Sequence, residues 1–241
     1  MNRLLLPLFF VLLLIAACAG DKTGKGRYSY PLPKLFSRSG DTNIISDRLY
    51  LIGWSADGKL AYLNEPGDEA CGCYFMDLYV RDAVQNKELY HYHFSNEGQD
   101  EGERSDDDLA TIWKRRGQVF TDSLNYYGII PGNFTAGRGD SYETDSGKIH
   151  AALYLQITDN KDFGMSTIPE YRVLMERRTS AIPVYVSTEE EQNKPLLHVV
   201  SDAVISEPSG HYAAVLIARE YRGWEGPPNT WRYEVYTCRF K

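Results

Sequence analysis

Two short runs carry the residue types from which a metal or redox centre is built. Residues 69–77 read EACGCYFMD, with Cys71 and Cys73 separated by Gly72, and residues 89–94 read LYHYHF, with His91 and His93 at the same spacing. Side chains two apart share a face of a strand, and two cysteines with two histidines are a zinc set. Register argues against that site. With the hairpin turn centred on Val84–Gln85, Cys73 stands opposite Asn96 and His93 opposite Met76, an offset of about 10 Å along the strand. A redox pair would want C-x-x-C at a helix N-terminus, whereas this C-x-C enters a strand. The expectation is a structural disulfide. Either Gly72 permits a small Cys71–Cys73 ring, or one of the two pairs with Cys238 and closes a long loop. No metal ligand, cofactor or catalytic residue is assigned from the sequence.

The other polar motifs have plainer uses. Asp106, Asp107 and Asp108 could suggest a cation site, but adjacent carboxylates on a helix point in different directions, and they suit the positive end of its dipole. The run TDNKDFG around Asp159 and Asp162 lacks the ligand order of a calcium loop and reads as a turn. Arg138-Gly139-Asp140 copies an adhesion tripeptide in a segment read as an exposed loop, with nothing around it to support that use. The segment EYRGWEGPPNTW is the candidate contact surface. Tyr221, Arg222, Trp224 and Trp231 belong to residue classes enriched at binding hot spots, although packing on the sheet edge is the commoner use of such rings. His150, His198 and His211 stand alone, and no Walker, Rossmann, G-x-S-x-G or H-E-x-x-H pattern occurs.

The elements that must position these residues are mostly strands. Residues 48–54 alternate, meet the hairpin signal Asp57-Gly58, and continue as LAYLN, the loop EPGDEACGC, YFMDLYV, the turn RDAVQNK and ELYHYHF. That is a four-stranded antiparallel meander over 46–94. Helical spacing follows over about 106–128, with Leu109, Ile112, Trp113, Phe120, Leu124 and Tyr127 on one stripe, Ser105 as cap and Gly128 as stop. After a loop through residues 131–147, strands resume over 148–240. Eighteen Tyr, nine Phe and four Trp suit strands, and a net charge of −7 offers no basic footprint for nucleic acid.

The first residues, MNRLLLPLFFVLLLIAACAG, join a short positive start to an apolar run too short to span a bilayer. Ile15-Ala16-Ala17-Cys18 resembles the lipobox of bacterial lipoproteins. The resemblance implies cleavage before Cys18, acylation there, and a membrane partner reached through the lipid, which gives stable anchoring with more than one chain. Ala19 rather than Asp resembles the default for the outer membrane, favoured here over the inner membrane. Residues 1–17 then form the signal peptide, 18–43 a flexible tether, and 44–241 a single β-rich domain.

Residues 54–63, WSADGKLAYL, and 205–216, ISEPSGHYAAVL, repeat one pattern: Ser, a polar turn with Gly, then an apolar strand. The S-x-D-G form resembles the repeat of TolB-like and WD40-like β-propellers. Its pairing with the late G-W-E-G-P segment resembles a family of predicted secreted bacterial proteins of unknown function. The resemblance implies blade-like hairpins but no reaction, and two such hairpins are too few for a closed propeller. The expectation is therefore a mainly β, antiparallel protein with one amphipathic helix. Its expected role is a non-catalytic binding or envelope-associated module with a protein or glycan ligand. Two alternatives stand beside it: an enzyme or metal-binding protein whose site is assembled from scattered residues, and an adhesin acting through Arg138-Gly139-Asp140.

Overall fold

A computed structural model describes residues 27–98, 107–161, 164–187, 195–223 and 226–240. In chain order the strands are β1 (Leu35–Arg38), β2 (Ile45–Ser46), β3 (Arg48–Ser55), β4 (Lys59–Glu65), β5 (Phe75–Asp82) and β6 (Lys87–Ser95). The helix α1 (Leu109–Tyr126) comes next, then β7 (Ile129–Pro131), β8 (Thr135–Arg138), β9 (Ser141–Thr144) and β10 (Gly147–Asn160). The chain continues through β11 (Met165–Arg177), β12 (Ser180–Val186), β13 (Leu196–Ser206), β14 (Tyr212–Tyr221) and β15 (Thr230–Arg239). The protein is mainly β, with antiparallel hairpin-rich sheets, one helix among the described residues, and no barrel or propeller closed by hydrogen bonds.

Three sheets form. The first runs β1-β3-β4-β5-β6, with β7 also on β3; the second runs β2-β15-β14-β13-β8; the third runs β12-β11-β10-β9. Strand alternation divides their side chains between layers. Tyr50, Ile52, Leu63, Met76, Leu78 and Val80 of the first sheet pack on α1, while Leu49, Leu51, Trp54 and Leu60 pack on Ala203, Ile205, Ala214 and Leu216 of the second. On its other face the second sheet sets Val204, Val215, Ile217 and Tyr236 against Ile149, Tyr171, Val173 and Met175 of the third. The order is helix, first sheet, second sheet, third sheet, and the second sheet is covered on both faces.

The helix buries the expected stripe: Leu109, Ile112, Trp113, Phe120 and Leu124. Its cap is Asp108, whose side chain accepts from the Thr111 amide at 2.7 Å, so the cap lies three residues beyond Ser105, itself outside the described residues. Asp108 keeps its carboxyl below the usual range through the same bond from Thr111. Two further expectations are corrected. Residues 131–147 contain β8 and β9 rather than loop alone. The tether ends well before residue 43, because β1 pairs with β3 and Tyr30 is buried, its hydroxyl donating to Ile129 O at 2.6 Å. Single aromatic anchors hold this Pro-rich segment, and they leave no periodic pattern to read. Residues 1–17 and Cys18 lie outside the described residues.

The two repeated hairpins touch each other. Ser55 Oγ accepts from the Lys59 amide at 2.8 Å across the Asp57-Gly58 turn, and Ser206 Oγ donates to the carbonyls of Glu207 and Tyr212. Trp54 stacks near Tyr212, and a Cβ on Gly58, whose φ is +86°, would sit 2.4 Å from the Tyr212 ring. Burial works to raise the pKa of Glu207, but hydrogen bonds from Ser209, His211 and Tyr212 outweigh it and hold the carboxyl below its ordinary 4.5.

Gly58→Ala combines a strained backbone with this clash, so it should destabilise the fold by about 2 kcal/mol or more and lower Tm by several degrees in a thermal melt. Because the folded pKa of Glu207 is depressed, its contribution is present above the ordinary carboxylate range and lost as pH falls through the folded value. Thermal melts from pH 6 down to pH 3 should show Glu207→Gln less stable than the parent at the upper end, with the difference closing at the lower end.

Candidate functional site

An apolar recess lies where two short strands share one edge of β3. β1 pairs with residues 48–50 and β7 with residues 53–55, leaving Leu51 and Ile52 between them. Proline explains the gap. Continuing the β1 register would bring Pro33 against Ile52, but a proline has no N–H for the ladder, and β7 ends on Pro131. Gly132 then closes the turn, donating to Ile52 O at 2.8 Å. At Gly53 the paired strand β7 comes so near that a Cβ would stand 2.0 Å from Ile130 O.

The resulting cleft has a volume of about 330 Å³. Leu51 and Ile52 form its floor, Leu32, Leu35 and Phe36 one wall, and Pro131 with Phe134 the other. Leu32 and Leu35 are 44% and 45% exposed, so apolar surface faces solvent at the mouth. Beneath it, burial pushes the Tyr30 phenol up to about 12, with Tyr28 adding to the effect, and the hydroxyl stays a donor to Ile129 O. The cleft offers apolar contact on a rigid frame.

The sequence-derived candidates are placed elsewhere. Cys71 and Cys73 form a disulfide, and Cys238 is free and buried between the second and third sheets, which removes it from the expected pairings. Burial pushes the Cys238 thiol up to about 12 despite the opposing charge of Arg177. The described contact-surface residues do not gather into one exposed patch. Tyr221 and Trp231 are half-buried, Trp231 packing against the core between first and second sheets and edge-on to His198; Arg222 donates its amide to Pro195 O. Trp224 lies outside the described residues. Arg138 and Asp140 are exposed, but the Arg138 guanidinium donates to Asp202, Ser37 and the Phe36 carbonyl, and Asp140 lies 3.5 Å from His150.

The register of the histidine hairpin also needs correction. Asp82 pairs with Lys87 and Arg81 with Glu88, which fits a turn centred on Val84–Gln85; beyond them Val80 pairs with Tyr90, leaving Leu89 as a bulge. That extra residue sets His93 opposite Asp77 instead of Met76, and His91 opposite Tyr79. The histidines therefore meet a carboxylate and not the cysteines, which the disulfide removes as ligands.

No family model matches the chain, and no curated protein or solved structure matches it. No helix among the described residues is long and apolar enough to cross a membrane. The thiol assignment has a direct check. A Cys18→Ser chain should titrate one thiol in denaturant without reductant and three after reduction. Its native form should react slowly, because Cys238 is buried.

Proposed function

We propose that the chain is a lipoprotein of the bacterial cell envelope, anchored through acyl groups on Cys18 and favouring the outer membrane. Its folded part acts as a non-catalytic binding module, and its ligand is an apolar segment of a partner protein seated in the cleft between β1 and β7. The observation that carries the binding reading is the composition of that cleft: chiefly Leu, Phe and Pro side chains, with Tyr30 and Lys34 beside them, around a floor of Leu51 and Ile52. A glycan would leave hydroxyls without partners against such walls, whereas leucine or phenylalanine side chains would cover the exposed Leu32 and Leu35. The anchor rests on Ile15-Ala16-Ala17-Cys18. The adhesin reading is weaker, since the Arg138 guanidinium is already held by Asp202 and Phe36.

Two measurements test the proposal. Cys18→Ser should abolish incorporation of labelled palmitate and release the chain from the membrane fraction; unchanged labelling would overturn the anchor. For the cleft, an environment-sensitive apolar dye bound to the full-length chain in mild detergent should be displaced by Leu/Phe-rich peptides. Leu35→Lys should weaken both dye and peptide at least tenfold. Displacement by fatty acids but not peptides, or no effect of Leu35→Lys, would overturn the protein-ligand reading.

A further inference from the structure

Asp77, His91 and His93 occupy one face of the β5–β6 ladder and are brought together by the bulge at Leu89. A single carboxylate oxygen, Asp77 Oδ1, lies 2.7 Å from His91 Nε2 and 2.7 Å from His93 Nδ1. One donor atom from each residue falls within 4.8 Å of the others. Asp77 is buried at 7% exposure, while both histidines are open to solvent on an edge strand.

Packing orients the rings. His91 stacks on Tyr79 at 4.4 Å, which itself stacks on Tyr62 at 5.1 Å, and His93 lies over Phe75 at 6.5 Å. On β4, directly opposite Asp77, Asn64 has a buried Oδ1 with no hydrogen-bond partner, while its amide donates to Asp47. A buried carboxylate, two imidazoles held by stacking and an approach from solvent are the parts of a three-ligand metal centre that keeps an open position.

We infer that Asp77, His91 and His93 bind a divalent transition-metal ion of the zinc type, with water in the remaining position. Two imidazole nitrogens and one carboxylate suit zinc, nickel or copper(II) better than magnesium or calcium, which take mainly oxygen. With metal bonds of about 2.0–2.1 Å in a tetrahedral set, donor atoms sit about 3.3 Å apart. The 2.7 Å contacts must therefore open by roughly 0.6 Å, a small side-chain adjustment for two solvent-facing rings. The inference is independent of the apolar cleft, which shares none of these residues. The competing account is a hydrogen-bonded staple that ties the edge strand β6 to β5 without metal.

The test is titration of zinc into the full-length, untagged, chelator-stripped chain, followed by calorimetry and by the visible spectrum of the cobalt(II) form. The expected result is one ion per chain with micromolar affinity, weakened at least tenfold in His91→Gln, His93→Gln and Asp77→Asn. His150→Gln, on the third sheet, should bind as the parent does. The exposed histidine positions tolerate glutamine, and equal Tm values in chelator should establish that those variants fold. Calcium or magnesium should not compete. No binding, binding that survives in His91→Gln and His93→Gln, or equal binding of calcium would overturn the site. Absence of binding with a lower metal-free Tm in those variants would identify the staple.

Discussion

The structure depends on the middle of the second sheet, strand β14 above all, being buried on both faces. Neighbouring residues of β14 serve opposite layers: Ala214 and Leu216 face the first sheet, while Ala213, Val215 and Ile217 face the third. A strand in that position has no polar side, so side-chain patterning cannot set its register. Register comes from polar contacts at its ends. The Glu207 carboxylate binds the turn that joins β13 to β14. At the other end, buried Asp47 accepts from the amides of Gly67 and Tyr233 and from Asn64 and Arg232, fastening β15 beside the first sheet. Burial disfavours the Arg232 cation, but the carboxylates of Asp47 and Glu69 outweigh it. Truncating either partner of such a pair leaves an uncompensated buried charge, which is the expensive outcome.

Around that buried centre, both candidate sites lie at the margins of the first sheet. The cleft forms at an edge of β3, where prolines interrupt the ladder, and the Asp77–His91–His93 cluster forms near the opposite edge of the same sheet, on β5 and β6. In both places the backbone departs from regular pairing, through a proline break in one and a single inserted residue in the other. The regular middle of the sheet holds these departures steady.

Much of this architecture was legible from residues alone. The Asp57-Gly58 signal and the alternation around it placed over 46–94 the meander that the structure runs from 48 to 95, and the spacing of Leu109, Ile112, Trp113, Phe120 and Leu124 located the helix and its buried face. β8 and β9 escaped notice because Gly- and Asp-rich sequence resembles loop until a neighbouring strand pairs with it. The cleft had no signature: its walls come from residues 30–36, 51–52 and 131–134, which share no motif. His91 and His93 stood out by type and spacing, but Asp77 did not join them. The turn was correctly centred; one bulged residue, Leu89, changed every partner after it, and alternation carries no mark of a bulge.

The order of strands in the second sheet also governs when the protein can close. That sheet collects β2 from residues 45–46, β8 from 135–138 and β13–β15 from 196–239. The β3–β6 meander is contiguous and can pair early during synthesis, whereas Leu49, Leu51 and Leu60 must wait for partners that emerge well over a hundred residues later. A nascent chain therefore carries a half-finished layer with one oily side bare. Its most vulnerable interval is the delay before β13–β15 arrive, when another chain can take their place.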